Sequence, residues 1–185
     1  MAERRPLKGK LLIASPVIVD ANFARTVIFV TEHGPEGAMG LVLNRRAEST
    51  VEQVVPDLDW IAEPGDHVHV GGPVAATSVI VLAEFADRGE AALIIDGDLG
   101  LVPAAADDRE ALVAALRRRR VFAGHAGWGP GQLEAELEEE SWIVGPALPD
   151  DVFADEPHEL WATALRRKGR EYALLATMPP DPSLN

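Results

Sequence analysis

Cysteine is absent from the 185-residue chain. That excludes disulfides, thiolate metal sites and thiol nucleophiles. Lysine stands only at Lys8, Lys10 and Lys168, so arginine supplies nearly all the positive charge. With the abundant alanine, this bias reads as base composition rather than function. No window approaches the ~20 apolar residues of a membrane-spanning helix. Leu11–Val19 has the length of a signal-peptide apolar stretch behind the charged Met1–Lys10, but Pro16 interrupts it and no small-residue cleavage pattern follows. A buried strand is the better reading, and a cytoplasmic protein without a membrane anchor is expected. A cationic excess is missing as well. Thirty acidic residues face 17 basic ones for a net charge of −13, the wrong field for displacing counterions from a nucleic acid.

The composition that remains is ordinary for a folded protein: 47% hydrophobic and 25% charged residues, with a mean hydropathy of +0.01. A chain of this length buries roughly 70% of its unfolded surface, enough for a core without staples. No composition break marks a linker and no internal repeat is present. Residues 1–177 are therefore expected to form one domain, followed by a disordered Pro-rich tail, 178–185.

Hydrophobic patterning places strands at Leu11–Ser15, Thr26–Glu32 and Ala38–Asn44, the last two as an antiparallel hairpin. Ser49 or Thr50 caps a short helix that ends before Pro56. Strands follow at His67–Gly71, Thr77–Phe85 and Ala91–Ile95. Asp107 and Asp108 open a helix with Leu112, Val113 and Leu116 on one face. It runs into Arg117–Arg120, whose cations complement the helix dipole. Polyanion contact is the sharper reading of that run, and a solvated helix end the plainer one. A strand at Val121–Ala126, an acidic helix at Gln132–Glu140, a strand at Trp142–Gly145, a helix at Glu156–Arg167 and a strand at Glu171–Thr177 complete the pattern. Strands that lead and helices that come later predict an α+β fold with a mixed, mainly antiparallel sheet.

Two glycine clusters carry the main candidate site. Gly124–Glu134 places Gly124, Gly127, Gly129 and Gly131, with His125 and Trp128, between a strand and a helix N-terminus. Exposed amides there can hold an anion. The run lacks the lysine and hydroxyl of a Walker loop and the glycine spacing of a dinucleotide fingerprint. A tight turn that packs Trp128 under the helix explains it equally well. Gly71-Gly72-Pro73-Val74 is the second cluster, read either as a strand-ending turn or as a loop that converges on the first.

Other constellations are weaker. His67 and His69 share a strand face, expected to be exposed and polar, and would need a third ligand to hold a metal. Asp96–Gly100 resembles the start of a calcium loop but lacks the closing glutamate. Ser15, Ser49, Ser78 and Ser141 sit in no nucleophile elbow, and no H-E-x-x-H helix exists.

The residues Leu12–Pro16, Phe23, Thr26–Ile28, Gly37–Arg45, Gly71–Val74, Gly124–Leu133 and Trp142 together resemble the YqgE/AlgH family of bacterial proteins, in order from Leu11 to Tyr172. Two positions depart from the family pattern: His125 stands where tyrosine is usual, and Arg46 where proline often follows Asn44-Arg45. The resemblance implies a bifurcated sheet curled into a pseudo-barrel and flanked by helices. It brings no catalytic residue, cofactor or metal. The family's label as a transcriptional regulator conflicts with the net charge. The expectation is a non-enzymatic regulatory or binding protein. It would recognise a small anionic ligand or a protein partner through Asn44, Arg45, Gly71, Gly72, Gly124, His125, Gly127, Trp128, Gly129 and Gly131. An enzyme acting on a phosphorylated or carboxylated metabolite is the alternative, and a direct transcriptional regulator the third reading.

Overall fold

The computed structural model describes residues 6–179. In chain order it contains β1 (Lys10–Ala14), β2 (Val27–Gly34), β3 (Gly37–Val42), β4 (Arg46–Thr50), α1 (Val51–Val54), β5 (His67–Val70), β6 (Val74–Phe85), β7 (Leu93–Asp96) and β8 (Leu99–Leu101). These are followed by α2 (Arg109–Ala114), β9 (Leu116–Trp128), α3 (Gln132–Glu138), β10 (Trp142–Pro146), α4 (Pro149–Val152), α5 (Leu160–Lys168) and α6 (Arg170–Leu175). The ten strands form one open sheet in the order β10-β1-β2-β3-β9-β6-β8-β7, with β4 and β5 branching from it. All pairings are antiparallel except β5 with β9. The α+β class, the mainly antiparallel pairing and the bifurcation agree with expectation.

The run Leu11-Leu12-Ile13-Ala14 is buried on both faces because the sheet is covered on both sides there. Alternation sends Leu11 and Ile13 into a core with Phe29, Leu41 and the α5 residues Trp161 and Leu165. Leu12 and Ala14 point the other way, to Ile28, Val30, Trp128, Trp142 and Leu133 of α3. A third cluster, Val51, Ile61, Val68, Val81 and Val121, fills the space under the branch strands.

β9 is the hinge of the architecture. Its first part pairs with β6, its Phe122 and Ala123 with β5, and its end with β3. Arg117–Arg120 therefore do not close a helix. α2 stops at Ala114, and the arginines form the start of β9. The physical reason is cross-strand pairing. Arg118 lies opposite Glu84 of β6 and binds its carboxylate at 2.7 Å, a tertiary partner that overrides local helix propensity. The expected strand at Glu171–Thr177 is likewise the helix α6. Tyr172, Leu175 and Ala176 pack on the first core at helical spacing. The Asp96–Gly100 run is the tight turn between β7 and β8. Of the tail, 180–185 lie outside the described residues. Among the described residues no helix is long and apolar enough to cross a membrane.

Candidate functional site

The two glycine clusters do converge, and they meet as packed backbone. Gly71 donates its amide to Ala123 O at 2.8 Å and accepts from Val42 N at 2.8 Å, joining β3, β5 and β9 where the sheet divides. A Cβ on Gly71 would lie 2.3 Å from Gly124 O, one on Gly72 2.2 Å from the His125 carbonyl carbon, and one on Gly124 2.4 Å from Gly72 O. Gly124 also has φ +70°, a conformation that glycine adopts without steric cost. Three backbone segments can cross here because Gly71, Gly72 and Gly124 place no side chain between them.

The second half of the glycine-rich segment serves α3. Gly131 precedes the helix with φ +74°, and the Gly129 amide donates to Gln132 Oε1 at 3.0 Å. Trp128 is buried, and its indole N–H donates to Glu136 at 2.8 Å. The same carboxylate oxygen accepts the Trp142 indole N–H at 2.8 Å, and the two rings meet edge to face at 6.0 Å. The carboxylates of α3 thus contribute one acceptor to the core instead of a uniformly solvated face.

Asn44 and Arg45 brace the turn before β2. Asn44 accepts from Val27 N at 2.9 Å and donates to Arg25 O at 2.8 Å. Arg45 donates from Nη2 to Ala21 O at 3.2 Å and to Ala24 O at 2.9 Å. The turn so held forms one wall of a cavity of about 350 Å³, lined by Ala21, Asn22, Val42, Arg45, Arg46, Val70, Gly72, Pro73 and Ala76. Arg45 and the Gly72-Pro73 loop therefore share one cavity. Gly71, Gly124, Gly127, Trp128, Gly129 and Gly131 are not among its lining residues. His125, paired in register with Val74 of β6, is not among them either, and its buried Nδ1 has no hydrogen-bond partner among the described residues.

Sequence reading underrated the residues of the neighbouring cavity, about 210 Å³, where Arg46 meets Asp66, His67, His69, Arg119, Arg120 and Asp155. The face carrying His67 and His69 is not an exposed polar one. His67 is half-buried and its Nδ1 lies 2.9 Å from Ala47 O. His69 is only 3% exposed, because the parallel β5–β9 pair sets it beside Phe122, with ring centroids 5.7 Å apart. Neither ring nitrogen of His69 has a hydrogen-bond partner among the described residues. Burial first and the positive charge of Arg120 next lower its pKa to about 3, with Arg46 a smaller contributor in the same direction and the His67 backbone opposing them. The available signal was the alternation of two histidines in an otherwise apolar strand, but burial required knowing the pairing. Among the described residues no group of three or more His, Asp or Glu is placed to hold a metal ion.

Comparison with known proteins places this geometry in a family. Residues 11–173 match the AlgH-like family. The UPF0301 protein SCO2948 of Streptomyces coelicolor is 42% identical over 192 residues, covering 100% of this chain and 98% of its own. A UPF0301 protein of Thermobifida fusca is 42% identical over 200 residues, covering 99% and 98%. The crystal structure of DIP2367 from Corynebacterium diphtheriae is similar with a TM-score of 0.85 at 32% identity, covering 96% of this chain and 95% of that one. The solution structure of AlgH from Pseudomonas aeruginosa has a TM-score of 0.73 at 33% identity, with 97% of each chain covered. With the family matched along nearly the whole chain, the protein belongs to the AlgH-like family.

Proposed function

We infer that the protein is a non-enzymatic, regulatory binding protein whose ligand is a small organic anion held in the cavity beside Arg45. The observation that carries this reading is the cavity's lining. Val42, Val70, Pro73, Ala76 and Ala21 offer an apolar wall, and Arg45 and Arg46 supply guanidinium groups at one side. A short carboxylate with an apolar body matches both halves, because arginine's fixed fork complements a carboxylate. The lining side chains include no histidine, carboxylate, hydroxyl or lysine, which supports binding over acid–base or nucleophilic catalysis.

Direct contact with nucleic acid has less support. Arg117, Arg118 and Arg119 are bound to Asp98, Glu84 and Glu63 of the chain itself. Together with the net charge of −13, this leaves little cationic footprint for phosphates. Titration calorimetry with butyrate and benzoate, on the wild type and on Ala76→Phe, tests the reading. Ala76 is exposed at the cavity mouth, so the larger ring occupies the space without entering the core. Saturable binding that Ala76→Phe abolishes is expected. Absent binding, or equal binding by the variant, overturns the reading.

A further inference from the structure

On the far side of Arg46 from the Arg45 cavity lies a second arrangement with different chemistry. β4 pairs with β5 so that Arg46 stands opposite His69. β5 pairs with β9 so that His69 stands opposite Phe122. Arg120 is two residues before Phe122 on the same strand, so alternation puts Arg46, His69 and Arg120 on one face of the sheet. All three line the cavity of about 210 Å³.

The three groups are poorly matched by the protein itself. Of the arginine run, Arg117, Arg118 and Arg119 each have a carboxylate within 3.0 Å. Arg120 has none within ion-pair distance among the described residues. Its guanidinium donates to the carbonyls of Val152 at 2.7 Å and Ala154 at 3.1 Å. Burial holds its pKa below the ordinary value, and Asp155 and Asp66 offset this only from a distance. Arg46 is exposed, and its guanidinium makes no hydrogen bond or ion pair among the described residues. His69 is 97% removed from solvent with both ring nitrogens unpartnered. A buried, unsatisfied imidazole is costly, and the two guanidiniums beside it, without an ion-paired carboxylate, disfavour its protonated form.

We propose that Arg46, His69 and Arg120 form an anion site for a phosphate group, a second cavity that shares only Arg46 with the carboxylate cavity of the functional reading. A tetrahedral oxyanion would accept from both guanidiniums and from the imidazole N–H, giving the buried ring the partner it lacks. Asp66 and Asp155 line the same cavity, and Asp66 Oδ2 accepts from Glu63 N at 2.8 Å. Their charge opposes any bound anion, and a long polyanion with its repeated charges more than a single phosphate. Arg119, bound to Glu63, and the half-buried His67 complete the lining.

The test uses long-range proton–nitrogen spectra of the histidine rings, titrated with inorganic phosphate and with glycerol 3-phosphate at constant ionic strength in sodium chloride. His69 ring signals should move saturably, with a dissociation constant in the millimolar range or tighter. Arg46→Gln, at an exposed position, should weaken this about tenfold or more without loss of fold, and Arg46→Lys should restore part of it. Tighter binding of glycerol 3-phosphate identifies an ester as the ligand class, and equal binding identifies the free anion. Static His69 signals overturn the proposal, as does a shift that never saturates or an unchanged affinity in Arg46→Gln. Ala76→Phe should leave these shifts intact, which separates this site's failure from that of the Arg45 cavity.

Discussion

Acid should destabilise the protein through His69 in a way that one substitution removes. The unfolded chain takes up a proton at this ring near pH 6.5, whereas the folded chain accepts it only near pH 3. Between those values the unfolded state binds more protons, so stability falls as pH is lowered. The slope is about 1.4 kcal/mol per pH unit for one proton. From neutral pH down to about pH 4.5 the loss sums to about 2–3 kcal/mol, a large part of the ~5–15 kcal/mol that holds a domain together. The assay is urea unfolding followed by tryptophan fluorescence at several pH values, in phosphate-free buffer. His69→Leu removes the titrating group and keeps an apolar filling beside Phe122. The quantity compared is the pH slope of stability in the two proteins. The wild type should lose about 2–3 kcal/mol more than His69→Leu across the window. Parallel pH profiles for the two proteins would refute the reasoning, because the ring would then titrate alike in the folded and unfolded chains.

Further consequences follow from the same contacts. Gly124→Ala combines φ +70° with a Cβ placed 2.4 Å from a backbone oxygen; chemical denaturation should show a loss of about 2–5 kcal/mol. Gly129→Ala meets only the Gln132 side chain at 3.9 Å and should stay within about 0.5 kcal/mol of the wild type. Glu136→Ala strands two buried indole N–H groups and should cost about 2–5 kcal/mol, with a shifted tryptophan emission as the accompanying readout. Asp151 is 4% exposed and binds Arg167 through both carboxylate oxygens while accepting Leu148 N. Asp151→Ala should cost about 1–3 kcal/mol by removing the acceptor of Leu148 N and the carboxylate of the solvent-exposed Arg167, measured by thermal or urea unfolding.

Much of this architecture was legible in the residues, and the misreadings have physical causes. The runs of β1, β2 and β3 announced themselves through β-branched and apolar content, with a Gly-Pro turn fixing the hairpin. Arg117–Arg120 misled because arginine is a good helix former and follows a genuine helix start at Asp108. Its strand state depends on Glu84, Asp98 and Glu63, which are distant in sequence. Tyr172, Leu175 and Ala176 carried helical spacing that a short β-like string disguised. The glycine clusters stand out in the sequence, but the residues alone leave both a strand-ending turn and a converging loop open for Gly71–Val74. Only the pairing of β3, β5 and β9 reveals that Gly71, Gly72 and Gly124 serve a crossing of backbones. The burial of His69 had no local signal, since it follows from the one parallel pairing in the sheet.

The central claim is that the cavity between Arg45 and Gly72 is a ligand site, and amide spectra of labelled protein test it most directly. Titration with short carboxylates such as butyrate and benzoate should give saturable shifts concentrated at Arg45, Arg46, Val70, Gly72 and Ala76. Gly129 and Gly131, at the turn into α3, should remain still. Shifts absent from the cavity residues, or concentrated instead at Gly127–Gln132, would contradict the account.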